Sequence, residues 1–412
     1  MTEQARRVQR IYLLLTLLST LAASFIWGIN TLFLLDAGLS NAQAFAANAF
    51  FLAGMVIFEV PTGVLADIWG RRYSYLLGAA TLLVSTLLYL VMWRTHAPLW
   101  GWAIASVLLG LGFTFFSGAT EAWLADALAF SGFKEGLESV LARGQIVGGA
   151  AMLTGSVAGG LIAQVTNLGV PYVLRSLVLA VTLVAAFFLM KDLGFSPARG
   201  KRPMEEIRKV LRSSIDGGWR KPPVRWLMLA GLCSGGVNMF AFYALQPYLL
   251  QLYGDPKAFG VAGLAAAVFA GTEMLAGVIA PRVRRVVGRR THALILASGM
   301  GTGALALLGF TSTFWVAIVL LFVWGLTFSM VVPIRQAYLN GIIPSEQRAT
   351  VLSFDNLMGS AGGVVAQPAL GRLADLRGYP AAYVVSAVIQ MVALPFLFLA
   401  RREDAASDQT ED

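Results

Sequence analysis

Long apolar stretches separated by short charged segments recur along the whole chain of 412 residues. A helix needs about 20 apolar residues to cross the hydrocarbon core of a bilayer, and these stretches approach or exceed that length. Charged residues make up only 13% of the chain, about half the proportion that is usual in soluble domains. We therefore predict an all-α membrane protein with twelve transmembrane helices. The predicted spans are residues 11–36, 41–66, 73–93, 98–127, 138–166, 171–190, 224–253, 258–281, 291–311, 313–341, 347–374 and 379–400.

The basic residues indicate the orientation. If the N-terminus is cytoplasmic, all but five of the 31 lysines and arginines fall on the cytoplasmic side. The five exceptions are Arg94, Arg175, Lys257, Arg372 and Arg377. Because cytoplasmic loops are enriched in lysine and arginine, we expect a multi-pass protein of the cell inner (plasma) membrane with both termini in the cytoplasm. The same loops account for the net charge of +9, so no nucleic-acid partner is expected.

The longest polar segment divides the chain. We predict an N-terminal six-helix half at residues 1–190, a cytoplasmic central loop at 191–223 and a C-terminal six-helix half at 224–412. Apolar residues recur in this loop at helical spacing, which favours an amphipathic helix on the membrane surface over a merely solvated linker. These residues are Met204, Ile207, Leu211 and Ile215.

The two halves are related in sequence. A Gly-x-Leu/Ile-Ala pattern occurs at Gly63–Ala66, Gly160–Ala163, Gly277–Ala280 and Gly371–Ala374, near the ends of spans two, five, eight and eleven. The first and third copies lie 214 residues apart, and the second and fourth lie 211 apart. Such repeats are typical of transporters that bind their substrate between two halves.

The segment after span two reads Gly63-Val-Leu-Ala-Asp67-Ile-Trp-Gly70-Arg71-Arg72. Asp67 lies at a helix C-terminus, where the helix dipole disfavours an acid, so it needs a basic partner such as Arg71 or Arg72. Gly70 permits a tight turn, and Gly63 would let another helix approach closely.

This segment resembles the signature loop of the major facilitator superfamily, and the resemblance extends over the chain through span number, central loop and repeats. It implies two pseudo-symmetric six-helix halves. It also implies that the loop formed by Gly63, Asp67, Gly70, Arg71 and Arg72 latches the cytoplasmic side and opens during transport. Asp126 is expected as a second acid for Arg71. The alternative is a static turn.

The second half departs from this pattern. Pro281 stands where the acid of the signature loop would be, so the second latch is expected to be degenerate.

Span five resembles the exporter motif of the drug/proton antiporter (multidrug efflux) group. Gly155, Gly159 and Gly160 match that motif, whereas Ala151 and Ser156 replace a glycine and a proline. The glycines are expected to pack helices closely. A packing face without directional meaning is the alternative.

Ionisable residues inside the bilayer are costly, and each is a functional hypothesis. Glu121 is expected to carry a proton and to pair with Arg335 across the cavity, although a static salt bridge is the alternative. Glu273 is expected to be a second proton site or a counter-ion for a cationic substrate. Glu59 is expected to bond backbone freed by a nearby proline or to take part in proton coupling. Asp355 is assigned a structural role.

By the resemblance, spans one, four, seven and ten line the substrate cavity. Their polar and aromatic residues suit an amphipathic cargo, although any single aromatic could instead serve helix packing. The candidates are Trp27, Asn30, Phe113, Phe116, Asn238, Tyr243, Gln246 and Phe328.

The leading hypothesis is a proton-coupled exporter of small amphipathic compounds, cationic ones included. The alternative is an importer or facilitator of a nutrient such as a sugar, an organic anion or an oxyanion. A membrane enzyme or receptor is disfavoured because no catalytic triad, metal cluster or phosphate loop is visible. With one cysteine and two histidines, no metal site and no cofactor are expected. The expected partners are a small-molecule substrate, protons and the lipid bilayer, and the chain is expected to be a monomer.

Overall fold

A computed structural model describes residues 2–133, 136–195, 205, 208, 212, 215–344 and 347–409. Among these residues the secondary structure is helical and contains no β-strand. The N-terminal half contains α1 (Glu3–Trp27), α2 (Asn30–Asp36), α3 (Asn41–Trp69), α4 (Arg71–Thr95), α5 (Leu99–Phe116), α6 (Ala119–Phe130), α7 (Leu137–Val165) and α8 (Gly169–Leu189). The C-terminal half contains α9 (Pro222–Tyr253), α10 (Phe259–Val287), α11 (Arg290–Phe310), α12 (Phe314–Asn340), α13 (Arg348–Met391) and α14 (Ala393–Arg402).

Eleven helical stretches in the described residues are long and apolar enough to cross a membrane. The last of them, Val351–Arg402, is 52 residues long, whereas one crossing needs only about 20 residues. Gly378 interrupts this stretch with non-helical backbone angles (φ 80°, ψ 168°). The described residues therefore provide twelve segments of membrane-spanning length, and the predicted all-α fold class is confirmed.

Two predicted spans are broken rather than continuous. The first, residues 11–36, is divided between α1 and α2. The fourth, residues 98–127, is divided between α5 and α6, because Gly118 adopts a left-handed conformation (φ 69°) that a helix does not continue through. Both predicted spans are therefore present, but each contains a break in its helix.

The central loop is described only in part. Most of the expected amphipathic helix, including Met204, Ile207 and Leu211, falls outside the described residues. The described segment Ile215–Trp219 forms one short π-helical turn before α9.

The glycines of the exporter-like motif lie at close helix contacts. A methyl group on Gly159 would lie 2.0 Å from the carbonyl oxygen of Phe25 in α1. A methyl group on Gly160 would lie 2.7 Å from the carbonyl oxygen of Phe259 in α10. Gly155 faces Ser24 of α1 at similarly short range. Only glycine permits these backbones to approach so closely.

The two ends of the helix bundle differ. We call the end that carries Arg71 and Arg289 the basic end, and the end that carries Asn41 and Gly260 the sealed end. Hydrogen bonds that join described residues of the two halves all lie at the sealed end.

Asp375 of α13 makes two of these connections. Its carboxylate accepts the backbone N–H of Asn41 at 2.8 Å and that of Ala42 at 2.9 Å, at the start of α3. The first-turn N–H groups of a helix have no partner within the helix, so an acid there stabilises the contact. Tyr379 adds a hydroxyl bond to the side chain of Asn41.

The halves separate toward the basic end. The contact between α3 and α13 extends from Asn41 and Asp375 to Leu52 and Gly363. No atom of the described residues lies within 4 Å of a methyl group placed on Gly63. The expected close approach at Gly63 is therefore wrong for this conformation, because the opposite half stands away from it.

Candidate substrate cavity and gating loops

An aromatic cluster lies where the two halves meet. It consists of Trp27 from α1, Phe242 from α9, Phe269 from α10 and Trp324 and Phe328 from α12. The ring centroids of Trp27 and Phe242 are 4.6 Å apart, and Phe269 lies 5.3 Å from Trp324 and 5.9 Å from Phe328. Trp27 and Phe328 were predicted from the sequence. The other three were missed, because sequence spacing does not reveal which rings converge.

Two polar residues predicted for the cavity adjoin this cluster. The indole N–H of Trp324 donates to Asn238 at 3.3 Å. Tyr243 places its ring 5.3 Å from that of Phe242. The cluster is therefore bordered by an amide and a hydroxyl, which suits a cargo with both apolar and polar parts.

Gln246 belongs to the sealed end rather than to the aromatic cluster. It accepts the backbone N–H of Thr31 at 2.8 Å and donates to the carbonyl oxygen of Trp27 at 2.9 Å. It thus links the C-terminal half to the break between α1 and α2.

Asn30 lies in a buried polar network that the sequence did not reveal. It accepts the hydroxyl of Tyr172 at 2.9 Å and donates to Asn48 at 2.9 Å. The three residues come from α2, α3 and α8 and hold the sealed-end part of the N-terminal half together.

Phe113 and Phe116 lie outside the aromatic cluster. Phe113 packs against Phe51 with 5.6 Å between ring centroids, and Phe116 packs against Tyr75 at 4.5 Å. Both contacts are within the N-terminal half, so their observed role is helix packing.

Glu273 lies in α10, four residues after Phe269. Residues four apart share a face of a helix, so Glu273 lies on the cluster face, one turn nearer the basic end. Its side chain is exposed. Among the described residues no ion pair involves this carboxylate.

Arg335 has a different partner from the one expected. Its Nε and Nη2 atoms donate to Asp355 at 2.9 and 2.5 Å, and Nη2 also donates to the carbonyl oxygen of Leu227 at 2.8 Å. Glu121 is exposed in α6, and the part of the chain that the structure describes places no ion-pair partner beside it. The Glu121–Arg335 pair is therefore absent from this conformation, because Asp355 lies in α13 and binds one edge of the guanidinium with both carboxylate oxygens.

Glu59 also has an unexpected partner. Its Oε1 atom accepts the hydroxyl of Ser117 at 2.8 Å, at the break between α5 and α6. The hydrogen bond that the described residues give to the Glu59 carboxylate is this one to Ser117, so the expected bond to backbone freed by Pro61 is wrong.

The signature loop forms the ion pair that the sequence suggested. Arg71 lies 2.6 Å from Asp67. Gly70, between α3 and α4, adopts a left-handed conformation (φ 110°) that strongly favours glycine. A side chain there would also collide with Asp192.

Asp192 is the acid of this loop that the sequence reasoning missed. Its carboxylate accepts the backbone N–H of Arg72 at 2.9 Å, in the first turn of α4. Burial raises the pKa of Asp192, and the bond from Arg72 offsets part of that rise. Asp126 lies near Asp192 and forms no ion pair with Arg71 among the described residues. The expected Asp126–Arg71 pair is wrong because Asp67 occupies Arg71.

The second half repeats this arrangement with the C-terminal tail. Asp408 accepts the backbone N–H and the hydroxyl of Thr291, both at 2.7 Å, in the first turn of α11. Arg289 pairs with Asp404 at 2.9 Å. Asp192 follows the sixth crossing and caps α4, which is the third. Asp408 follows the twelfth crossing and caps α11, which is the ninth. The loop that lacks its own acid at Pro281 thus receives acids from the tail.

From the sequence, Arg175 was counted only among the five basic residues that do not fall on the cytoplasmic side. The structure instead buries it in α8 with 2% of its surface exposed. Its Nε atom donates to Thr86 at 3.0 Å and Nη1 donates to the carbonyl oxygen of Ala22 at 3.2 Å.

Comparisons with known proteins agree with the helical arrangement described above. The sequence matches the family described as Major Facilitator Superfamily over residues 12–287 and 258–412. No curated protein matches the chain. The solved structure of the nucleoside transporter NupG aligns with a TM-score of 0.77 at 12% identity, over 97% of this chain and 99% of that one. The POT family transporter PepTSo aligns with a TM-score of 0.77 at 13% identity, over 98% of this chain and 99% of that one. Identities this low show a shared fold alone.

Proposed function

This chain belongs to the major facilitator superfamily and is a membrane transporter, and we propose that it exports small amphipathic compounds in exchange for protons. The export would proceed by alternating access, in which the halves rock so that only one end of the cavity is open. The protein would act as a monomer in the inner membrane, without a cofactor.

The proposed orientation of the protein in the membrane rests on the positive charge of its loops. Cytoplasmic loops carry the excess of lysine and arginine, so we place the basic end and both termini in the cytoplasm. The sealed end then faces outward. With this orientation the described conformation would be open to the cytoplasm, which is the state in which an exporter loads its cargo.

The observation that carries this proposal is the aromatic cluster with Glu273 one turn away on the same helix face. Stacked and edge-on rings bind apolar and aromatic surfaces. A carboxylate in a site that closes between the halves can take up a proton when cargo leaves. We assign the principal proton site to Glu273. Glu121 and Glu59 are candidates for further proton sites, and Arg335 acts through its bond to Asp355.

The signature loop is proposed as the gate on the cytoplasmic side. In the described state Asp67 and Arg71 pair within one half. Closure of the basic end would bring the opposite half against Gly63, whose side-chain position has no neighbour within 4 Å in the described residues. The loop would thereby stabilise the outward-open state.

The test is transport into proteoliposomes with an imposed proton gradient, using ethidium, 1-naphthamide and 1-naphthoate as probes. We expect accumulation of at least one probe that collapses with an uncoupler. Glu273→Gln should abolish gradient-driven accumulation but retain exchange of labelled for unlabelled probe, because only proton coupling is removed. Glu138→Gln, at an exposed position at the start of α7, is the matched control.

Gradient-independent movement of all three probes would overturn proton coupling. Probe uptake into intact cells that Glu121→Gln and Glu273→Gln leave unchanged would overturn export.

A second candidate is import or facilitated passage of a polar nutrient. The Asn48 amide favours it, because its Nδ2 atom is buried without a hydrogen-bond partner among the described residues and could donate to a polar solute. The similar folds of NupG and PepTSo, described as nucleoside and POT family transporters, are compatible with it. Sugar and nucleoside uptake by intact cells, compared with and without the protein, separates this candidate from export.

A further inference from the structure

Arg175 is a charged side chain inside the N-terminal half without a counter-charge. It is 2% exposed, and no carboxylate of the described residues forms an ion pair with it. A buried charge that lacks an opposite charge is costly and is retained where it serves a function.

The guanidinium has spare hydrogen-bonding capacity. It carries five N–H groups, and its bonds to Thr86 and Ala22 come from Nε and Nη1. The Nη2 atom makes no hydrogen bond to any described residue. The two bonds orient the group by fixing it to α4 and α1, and they leave Nη2 free to donate to a ligand. A fixed guanidinium edge matches the geometry of a carboxylate.

Tyr243 connects Arg175 to the aromatic cluster. Arg175 lies one turn after Tyr172, which bonds Asn30, and Tyr243 lies one turn before Gln246, which bonds the adjacent Thr31. Both residues therefore lie one helical turn from the same contact of α2 with α8 and α9, on its basic-end side. The Tyr243 ring packs against Phe242, which stacks on Trp27. Two other tyrosines near Arg175 use their hydroxyls within the protein, Tyr172 to Asn30 and Tyr89 with Ser106. The hydroxyl of Tyr243 has no hydrogen-bond partner among the described residues and is therefore available to a ligand.

We propose that Arg175 binds the carboxylate of an aromatic acid whose ring lies against Trp27 and Phe242, with the Tyr243 hydroxyl as a second donor. This proposal rests on the proposed function, since it names the class of cargo. Arg175 belongs to the N-terminal half and Tyr243 to the C-terminal half. A bound carboxylate therefore bridges the halves and stabilises the closed sealed end.

The test compares two ligands of the same shape. Binding of 1-naphthoate and 1-naphthamide to the purified transporter is measured by calorimetry. Wild type should bind the acid more tightly than the amide. Arg175→Gln should weaken naphthoate binding about tenfold or more, the usual loss when a charge-assisted hydrogen bond is removed, and leave naphthamide binding unchanged. Tyr243→Phe should weaken naphthoate binding by a smaller factor.

The controls separate binding from folding and from transport. Arg377→Gln removes an exposed charge at the sealed end and should change neither affinity. If Arg175→Gln does not fold, Tyr243→Phe and Arg175→Lys provide the same comparison. Equal binding of the two ligands by wild type, no naphthoate binding, or an equal loss of both ligands in Arg175→Gln would overturn the proposal.

The proposed export function can fail while the proposed Arg175 site is supported. Acid-selective binding that depends on Arg175, found in a protein without proton-driven transport, would refute export and support this site.

Discussion

Asp192 is a carboxylate held against the start of α4 beside the two arginines of the signature loop. Burial raises its pKa above the ordinary value of 3.8. The folded protein therefore binds this proton more readily than the unfolded chain does. The linked stability is gained as the pH falls through the folded-state pKa and is lost as the pH rises above it.

Asp192→Asn tests this linkage. We expect wild type to gain stability relative to the variant as the pH is lowered from 7 toward 4, because only the wild-type group takes up a proton. Thermal unfolding in detergent across this range measures the difference. A difference between the two proteins that stays constant with pH would show that Asp192 is not a buried acid.

Trp27 is the aromatic residue that the N-terminal half contributes to the cluster. Trp27→Ala should weaken naphthamide binding about threefold to tenfold, because an aromatic pair contributes ~0.5–1.5 kcal/mol beyond its buried area. Calorimetry on the purified protein measures the change. Trp315→Ala removes a tryptophan that is 72% exposed, and the same loss in that variant would argue against a cluster-specific effect.

At the scale of helices, α7 packs against α1 through glycine. Gly159→Ala should lower the free energy of unfolding by ~1–3 kcal/mol, the usual cost of overpacking, because its methyl group would lie 2.0 Å from the Phe25 carbonyl. Gly303→Ala is the control, since no described atom lies within 4 Å of its methyl group. Equal effects in both variants would refute the packing role.

The C-terminal tail completes α11. Asp408→Ala should destabilise the protein by ~0.5–2 kcal/mol, the range found when a helix cap is removed. Asp404→Ala should cost less than ~1 kcal/mol, because its ion pair with Arg289 is solvent-exposed. Chemical or thermal unfolding of both variants checks the order. A larger loss for Asp404→Ala would contradict the capping role.

At the scale of the whole molecule, hydropathy and internal repeats were sufficient to predict twelve crossings, since both patterns depend only on the order of residues along the chain. The Asp67–Arg71 pair was predictable for the same reason, because its members lie within one turn. The burial of Arg175 was not predictable, since the sequence does not show which helices enclose a residue of a span. Phe242, Phe269 and Trp324 were missed because their convergence depends on how the helices pack.

Alternating access requires that the two ends of the molecule move in opposite directions. Asp375 accepts two backbone N–H groups of α3 at the sealed end, and bonds to a charged acceptor contribute ~1.5–3 kcal/mol each. Asp375→Ala should therefore shift the population toward a state that is open at the sealed end.

Electron–electron distance measurements on spin-labelled cysteines test this most directly. The natural Cys233 is first replaced by serine, and label pairs are then placed at exposed positions, Tyr73 with Arg282 at the basic end and Asp36 with Asp255 at the sealed end. In the Asp375→Ala background, alternating access predicts that the sealed-end distance lengthens while the basic-end distance shortens. Lengthening at the sealed end with an unchanged distance at the basic end would contradict it.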